Sequence, residues 1–186
     1  MFKVFVLLIA LFATGCTNTR PFDEKFEAVS GEFIAPSVQM GNNRGLVMLY
    51  LSPECPLCQN YTVAINDIIT KYRDSGFAFM GVVSGDFYPR DEILKYQVRY
   101  DLDLRIIQDP EFKLAKYYDA KITPEAHLID RDGNVIYRGA IDNWAISLGQ
   151  KRRKPTAHYL ASALNAFSEN REIDPKETKP VGCFIE

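Results

Sequence analysis

Cys55 and Cys58 stand two residues apart in Cys55-Pro56-Leu57-Cys58, where an apolar run meets an amphipathic segment. The run Leu46-Val47-Met48-Leu49-Tyr50-Leu51 reads as a buried strand. From Tyr61 onward, Tyr61, Ile65, Ile68, Ile69 and Tyr72 recur on one helical face. Two thiols at this spacing, between a strand and a helix, point to thiol–disulfide exchange. The first thiol falls at the helix N-terminus, where unpaired N–H groups and the macrodipole favour an anion, and the thiolate is the attacking species. Cys58 lies one turn on, close enough to close a disulfide without large backbone movement. Glu54 precedes the first cysteine, and a carboxylate there opposes ionisation of Cys55. The two influences partly cancel, which places the Cys55 pKa near about 7.

Other chemistry-bearing residues are sparse. A structural zinc needs four ligands. Beyond Cys55 and Cys58 only Cys183, His127 and His158 remain, at irregular spacing, so the pair is read as redox-active with no metal and no other cofactor. His127 lies within an apolar strand and reads as a core histidine, His158 as a surface residue of the last helix. Trp144, the single tryptophan, is expected to pack near the rim of the site. Lys151-Arg152-Arg153-Lys154 reads as a solvated turn.

The 186 residues, 47% hydrophobic, suit one domain with terminal segments. A net charge of −2 and the lack of a basic, aromatic-interleaved stretch exclude nucleic acid as a partner. At the N-terminus, Lys3 precedes the apolar run Val4 to Ala13, which is too short to span a bilayer but suits a signal-peptide core. Ala13-Thr14-Gly15-Cys16 closes it and resembles a bacterial lipobox, with Cys16 as the lipid acceptor. The expected division is a signal peptide over 1–15, a tether over 16–29, a domain over 30–168 and a tail over 169–186. The protein is then exported and membrane-anchored, facing the periplasm or cell exterior of a bacterium.

Downstream, Phe77 to Val83 is a second apolar strand, Pro89 opens a helix that runs to about Tyr100, and Leu104 to Ile107 is a short strand. Asp109-Pro110-Glu111 carries the signals of a helix start. Ala126 to Asp130 and Asn134 to Arg138 flank the turn Arg131-Asp132-Gly133 as a hairpin. A final helix from about Pro155 presents Ala157, Leu160, Ala161, Leu164 and Phe167. Alternation followed by a hairpin implies an α/β fold, a mixed central sheet flanked by helices on both faces.

With this order in place, the chain resembles the exported redoxin group of thioredoxin-like proteins, which joins TlpA-like thiol–disulfide oxidoreductases and AhpC/TSA peroxiredoxin-like proteins. The resemblance rests on Ser52-Pro53-Glu54-Cys55-Pro56-Leu57-Cys58, on Ile122-Thr123-Pro124-Glu125, on the hairpin Leu128 to Val135, on Tyr137 to Asp142 and on the ending Lys179 to Ile185. It implies a thioredoxin-like fold, catalytic Cys55 and Cys58, and a cis-proline loop at Thr123-Pro124 that receives the substrate. For Cys183 two readings stand side by side: a packed terminal cysteine, or a tail that folds back to bring a third thiol near the site, which the family-like ending favours. The implied partners are exported cysteine-containing proteins or a membrane thiol donor. The peroxiredoxin side of the group leaves a thiol peroxidase as the alternative, with Ser52 as the hydroxyl three residues before the reactive cysteine and Met48 where a proline is expected. A more distant alternative is an SCO-like copper metallochaperone using Cys55, Cys58 and His127 or Cys183.

Overall fold

The computed structural model describes residues 19–185. The expected signal peptide and the acceptor Cys16 lie outside the described residues. The central sheet has five strands: β3 (Gly45–Tyr50), β4 (Phe77–Ser84), β5 (Arg105–Asp109), β7 (Glu125–Asp130) and β8 (Val135–Gly139). Their order is β5-β4-β3-β7-β8, with β3–β4 and β4–β5 parallel and β3–β7 and β7–β8 antiparallel. This is the mixed sheet expected from the alternation of elements.

Side-chain alternation along the central strands divides the core in two. From β3, Val47 and Leu49 join one cluster and Leu46, Met48 and Tyr50 the other. Helices α2 (Pro56–Tyr72), α3 (Arg90–Arg99) and α5 (Tyr159–Ser168) cover the first face; α1 (Pro36–Met40) and α4 (Lys113–Tyr118) cover the second. Helix α2 buries Cys58, Tyr61, Thr62, Ile65, Ile69 and Tyr72, a stripe at helical spacing. It ends through a 3-10 turn at Arg73–Ser75, with Gly76 in the left-handed conformation.

The remaining strands are short: β1 (Phe26–Glu27) pairs with β2 (Phe33–Ile34), β9 (Ala145–Ser147) with β10 (Gln150–Lys151), and β6 (Ile122–Thr123) with β11 (Cys183–Phe184). Two boundaries differ from those read in the sequence. Helix α4 begins at Lys113 rather than at Pro110, because Asp109 completes β5; its carboxylate still accepts from the Ala115 N–H at 3.0 Å, the capping role its position suggested. Helix α5 begins at Tyr159, with His158 exposed at its N-cap.

The tether expected over 16–29 is corrected from Pro21 onward. Residues Pro21–Asp23 form a 3-10 turn that buries Phe22, and Phe26, Ala28 and Val29 are buried as well. Ala28 bridges to Ile107, and the Val29 N–H donates to the Ile106 carbonyl at 2.9 Å, so this segment extends the β5 edge of the sheet. Charged residues separate the buried ones, which gives the stretch the polar average of a linker. Phe22→Ala is expected to destabilise the domain by about 3 kcal/mol, the cost of emptying a buried aromatic site, whereas a true tether residue would change it by less than about 0.5 kcal/mol. Chemical denaturation of the two proteins decides between these.

Candidate active site

The turn from β3 into α2 sets the first thiol. Ser52-Pro53-Glu54 carries the chain off the strand end. The Cys55 N–H donates to the Ser52 carbonyl at 3.2 Å, and Gln59 Nε2 ties the Pro53 carbonyl back to the helix at 2.8 Å. Cys55 is the N-cap of α2, and Pro56 occupies the first helical position, where a missing N–H costs nothing. Cys58 follows within the first turn, wholly buried, with the Ser52 N–H donating to its sulfur at 3.4 Å. Cys55 is only 2% exposed.

Two further segments close on Cys55. The loop at β6 brings the Thr123 carbonyl oxygen to 3.2 Å from Cys55 Sγ, and the Thr123–Pro124 bond is cis. Strand β11 then lies antiparallel to β6, with Cys183 opposite Thr123, and Cys183 Sγ is 2.9 Å from Cys55 Sγ. The structure therefore gathers Cys55, Cys58, Thr123, Pro124 and Cys183 at one point. All three cysteines are free thiols.

These neighbours set the ionisation of the site. The Cys55 thiol is pulled down to about 4, first by a proton shared from the Cys58 thiol. Burial acts against this, while the Cys183 thiol and the facing N–H groups of Cys58 and Cys183 reinforce it. The Thr123 carbonyl accepts only from the neutral thiol and so opposes ionisation, but the donors outnumber it. Burial, then proximity to Cys55, pushes Cys58 well above the ordinary thiol range. Cys183 is pushed up to about 11, by burial first and then by the proton it holds toward Cys55. The pair titrates as one attacking thiolate and one retained thiol.

This corrects two expectations. Glu54 is exposed, and the groups that govern Cys55 are the other thiols and the backbone amides. The Cys55 pKa accordingly lies well below the value near 7 that opposing carboxylate and helix influences implied. Ser52, expected as a hydroxyl serving Cys55, instead places its Oγ 3.1 Å from the Tyr88 hydroxyl. His127 falls on the opposite face of the sheet from the thiols. It alternates with Ala126 and Leu128, contacts the rings of Tyr50 and Tyr118, and is wholly buried. Among the described residues no group of three His, Cys, Asp or Glu side chains is placed to hold a metal ion. Trp144 packs edge-on against Tyr61, three residues beyond Cys58 on α2, with ring centroids 5.4 Å apart.

Glu125 is the positioning residue that the sequence reading passed over. Its carboxylate is buried; Oε2 accepts from the N–H groups of Lys121 and Ile122 at 3.0 and 3.1 Å, and Oε1 lies 2.9 Å from His127 Nε2. Burial alone would raise its pKa, but His127 and the two amides outweigh that and hold it below the usual carboxylate value. The interaction adds stability above the unfolded carboxylate pKa of 4.5 and loses it as the pH falls through the lower folded value. Its signal in the sequence was an acid followed by a histidine inside an otherwise apolar strand, since a buried acid must find partners.

Grooves flank the thiols on either side of β11. One of about 350 Å³ is lined by Ser52, Glu54, Tyr88, Thr123 and Phe184 among others. The other, of about 510 Å³, is lined by Tyr61, Pro124, Ile146, Leu148 and Gly182 among others. Phe184, Phe87, Leu148 and Ile146 stand exposed around them, an apolar rim of the kind that meets another protein.

Comparison with solved structures gives a thioredoxin-like class. A hypothetical protein from Sinorhizobium meliloti 1021 superposes with a TM-score of 0.77 at 21% identity, covering 90% of this chain and 92% of its own. A secreted disulfide oxidoreductase of Mycobacterium tuberculosis, homologous to E. coli DsbE, superposes with a TM-score of 0.53 at 14% identity, covering 80% of this chain and 94% of its own. Within that class, residues 24–138 match the AhpC/TSA family, and the chain belongs to it. A curated relative, the thiol-disulfide oxidoreductase ResA of Bacillus thuringiensis subsp. konkukian (strain 97-27), is 25% identical over 149 residues, 73% of this chain and 84% of its own.

With Cys55 ionised from about pH 4 upward, its alkylation by iodoacetamide is expected to be nearly independent of pH between about 6 and 8 and to fall only in acid. Stopped-time alkylation followed by mass spectrometry reads this directly; a rate that climbs about tenfold per pH unit across that range would place the pKa above it.

Proposed function

We propose that this protein is a thiol–disulfide oxidoreductase acting on cysteine-containing proteins, with Cys55 as nucleophile and Cys58 as resolving thiol. The observation that carries the reading is the arrangement at the start of α2: Cys55 at the N-cap against the cis Thr123–Pro124 loop, and Cys58 wholly buried one turn on, surroundings that favour a thiolate on the first and a neutral thiol on the second. In the reducing direction, the Cys55 thiolate attacks one sulfur of a partner disulfide. The Cys55–partner bond forms, the partner S–S bond breaks, and the departing partner thiolate takes a proton. Cys58 then gives up its proton and attacks Cys55 Sγ, which releases the second partner thiolate and leaves a Cys55–Cys58 disulfide. The reverse sequence oxidises a dithiol. The cysteine pair is its own redox centre, so neither metal nor nucleotide is needed. The name of the ResA relative supports this chemistry.

The peroxidase alternative is less well supported, because the Ser52 hydroxyl is engaged by Tyr88. The copper alternative with His127 is disfavoured because that residue lies on the other face of the sheet, and the version with Cys183 because, among the described residues, no three such side chains are grouped to hold a metal ion. We also propose that Cys16 is the lipidated first residue of an exported, membrane-anchored form. The lipobox-like Ala13-Thr14-Gly15-Cys16 supports this.

With Cys183 also replaced by Ser, Cys58→Ser is expected to accumulate mixed disulfides with partner proteins, because attack persists while both neighbouring thiols that could resolve them are gone; Cys55→Ser is expected to accumulate none. Non-reducing electrophoresis of both variants checks this, and equal trapping by the two would reverse or remove the assignment of Cys55. Mass spectrometry of the membrane-derived protein is expected to find a diacylglyceryl group on an N-terminal Cys16; a mature unlipidated N-terminus at another residue would refute it.

A further inference from the structure

The path of the chain after α5 carries more than the placement of a third thiol. From Lys176 to Thr178 the chain adds to the outer edge of β8: the Arg138 N–H donates to the Lys176 carbonyl and the Thr178 N–H to the Arg138 carbonyl, both at 3.0 Å. Thr178 Oγ1 lies 2.8 Å from the Tyr137 hydroxyl and accepts from the Ala140 N–H at 2.9 Å. The chain then crosses to β6, where the Ile185 N–H donates to the Lys121 carbonyl at 2.9 Å. The approach at Gly182 is so close that a Cβ there would sit 1.9 Å from the Thr123 carbonyl oxygen.

In this position β11 covers the nucleophile. Cys55 is 2% exposed, while Cys183, directly over it, is only half-buried. The backbone edge at Ile122–Thr123 adjoins the Cys55 sulfur, and β11 already pairs with it. A protein chain bringing a disulfide to Cys55 must pass through the space that β11 fills. Cys183 Sγ, at 2.9 Å, stands where the sulfur of such a chain would have to stand.

We propose that the C-terminal strand is a built-in stand-in for the substrate chain, which a protein substrate must displace and which Cys183 locks in place through a disulfide with Cys55. The proposal rests on the oxidoreductase reading above. The locking step is an exchange within the oxidised protein and needs no further oxidant. Cys183 loses its proton and attacks Cys55 Sγ of the Cys55–Cys58 disulfide. The Cys55–Cys183 bond forms, the Cys55–Cys58 bond breaks, and Cys58 takes up a proton as it leaves. Its buried surroundings favour that neutral thiol. The oxidised protein is thus distributed between an open form, bonded 55–58, and a latched form, bonded 55–183.

The test has two arms. In the first, the wild type and Cys58→Ser are equilibrated with glutathione disulfide, free thiols are blocked with N-ethylmaleimide, and the disulfides are mapped by non-reducing peptide mass spectrometry. The expected result is a Cys55–Cys183 peptide in both, with Cys58 blocked in the corresponding wild-type fraction. A stable Cys55–glutathione adduct in Cys58→Ser with Cys183 fully blocked overturns the proposal and leaves the oxidoreductase reading standing. A Cys55 that forms no disulfide in either protein overturns both. In the second arm, Gly182→Val, whose side chain cannot coexist with the Thr123 carbonyl, and a chain ending at Val181 each free the β6 edge. Alkylation of reduced Cys55 by a polyethylene-glycol maleimide is expected to accelerate about tenfold or more in both variants, because a two-residue strand is held by few hydrogen bonds. An unchanged rate in both overturns the proposal.

Discussion

A sulfur anion removed from water must be surrounded by donors, and that demand organises this end of the molecule. Cys55 draws them from two stretches of chain far apart in sequence. The start of α2 provides the Cys58 thiol and N–H, and the C-terminal strand provides the Cys183 thiol and N–H. The β6 loop contributes no donor but fixes where that last strand lies, through the pairing of Cys183 with Thr123. The helix, the loop and the tail therefore meet at one atom. The two sheet faces behind them supply the rigidity without which donors and anion would drift apart.

The loop in turn hangs on a carboxylate. Glu125 holds the amides of Lys121 and Ile122 and is itself steadied by His127 beneath the sheet. The acid and the histidine of the strand after Pro124 thus form a structural pair. They act on the thiols through the backbone they position rather than by touching them. Removing one partner would strand the other in a dry interior, a far larger penalty than loss of an exposed ion pair.

The sequence made some of this legible and hid the rest for identifiable reasons. The strand at Leu46–Leu51 and the helix that follows showed themselves because each buries a long, regular stripe. So did the hairpin around Asp132-Gly133, whose turn chemistry is local. The short helix Pro36–Met40 and the β9–β10 hairpin did not, because two to five residues carry no period and owe their form to packing. The segment around Phe22 and Phe26 was mistaken for a linker, since its buried residues are separated by charges. Glu54 was given influence over Cys55 on adjacency alone, but a side chain next to an N-cap can point away from the helix end into water. The placement of Cys183 rests on contacts 128 residues apart, which no local pattern encodes.

Two glycines carry the consequence of the docked tail into the realm of sequence comparison. Gly139 adopts a φ of +129°, and a Cβ there would fall 2.0 Å from the Thr178 carbonyl oxygen; Gly182 is equally intolerant against Thr123. Both are points where backbone meets backbone with no room for a side chain. Together with the cysteine that follows the second of them, they form a three-residue signature of the arrangement. A related chain that keeps a cysteine near its end but bears a bulky residue just before it cannot seat that thiol over the helix start in this way. The glycines, more than the cysteine, distinguish a thiol lodged at the reactive centre from one that is merely present in the tail.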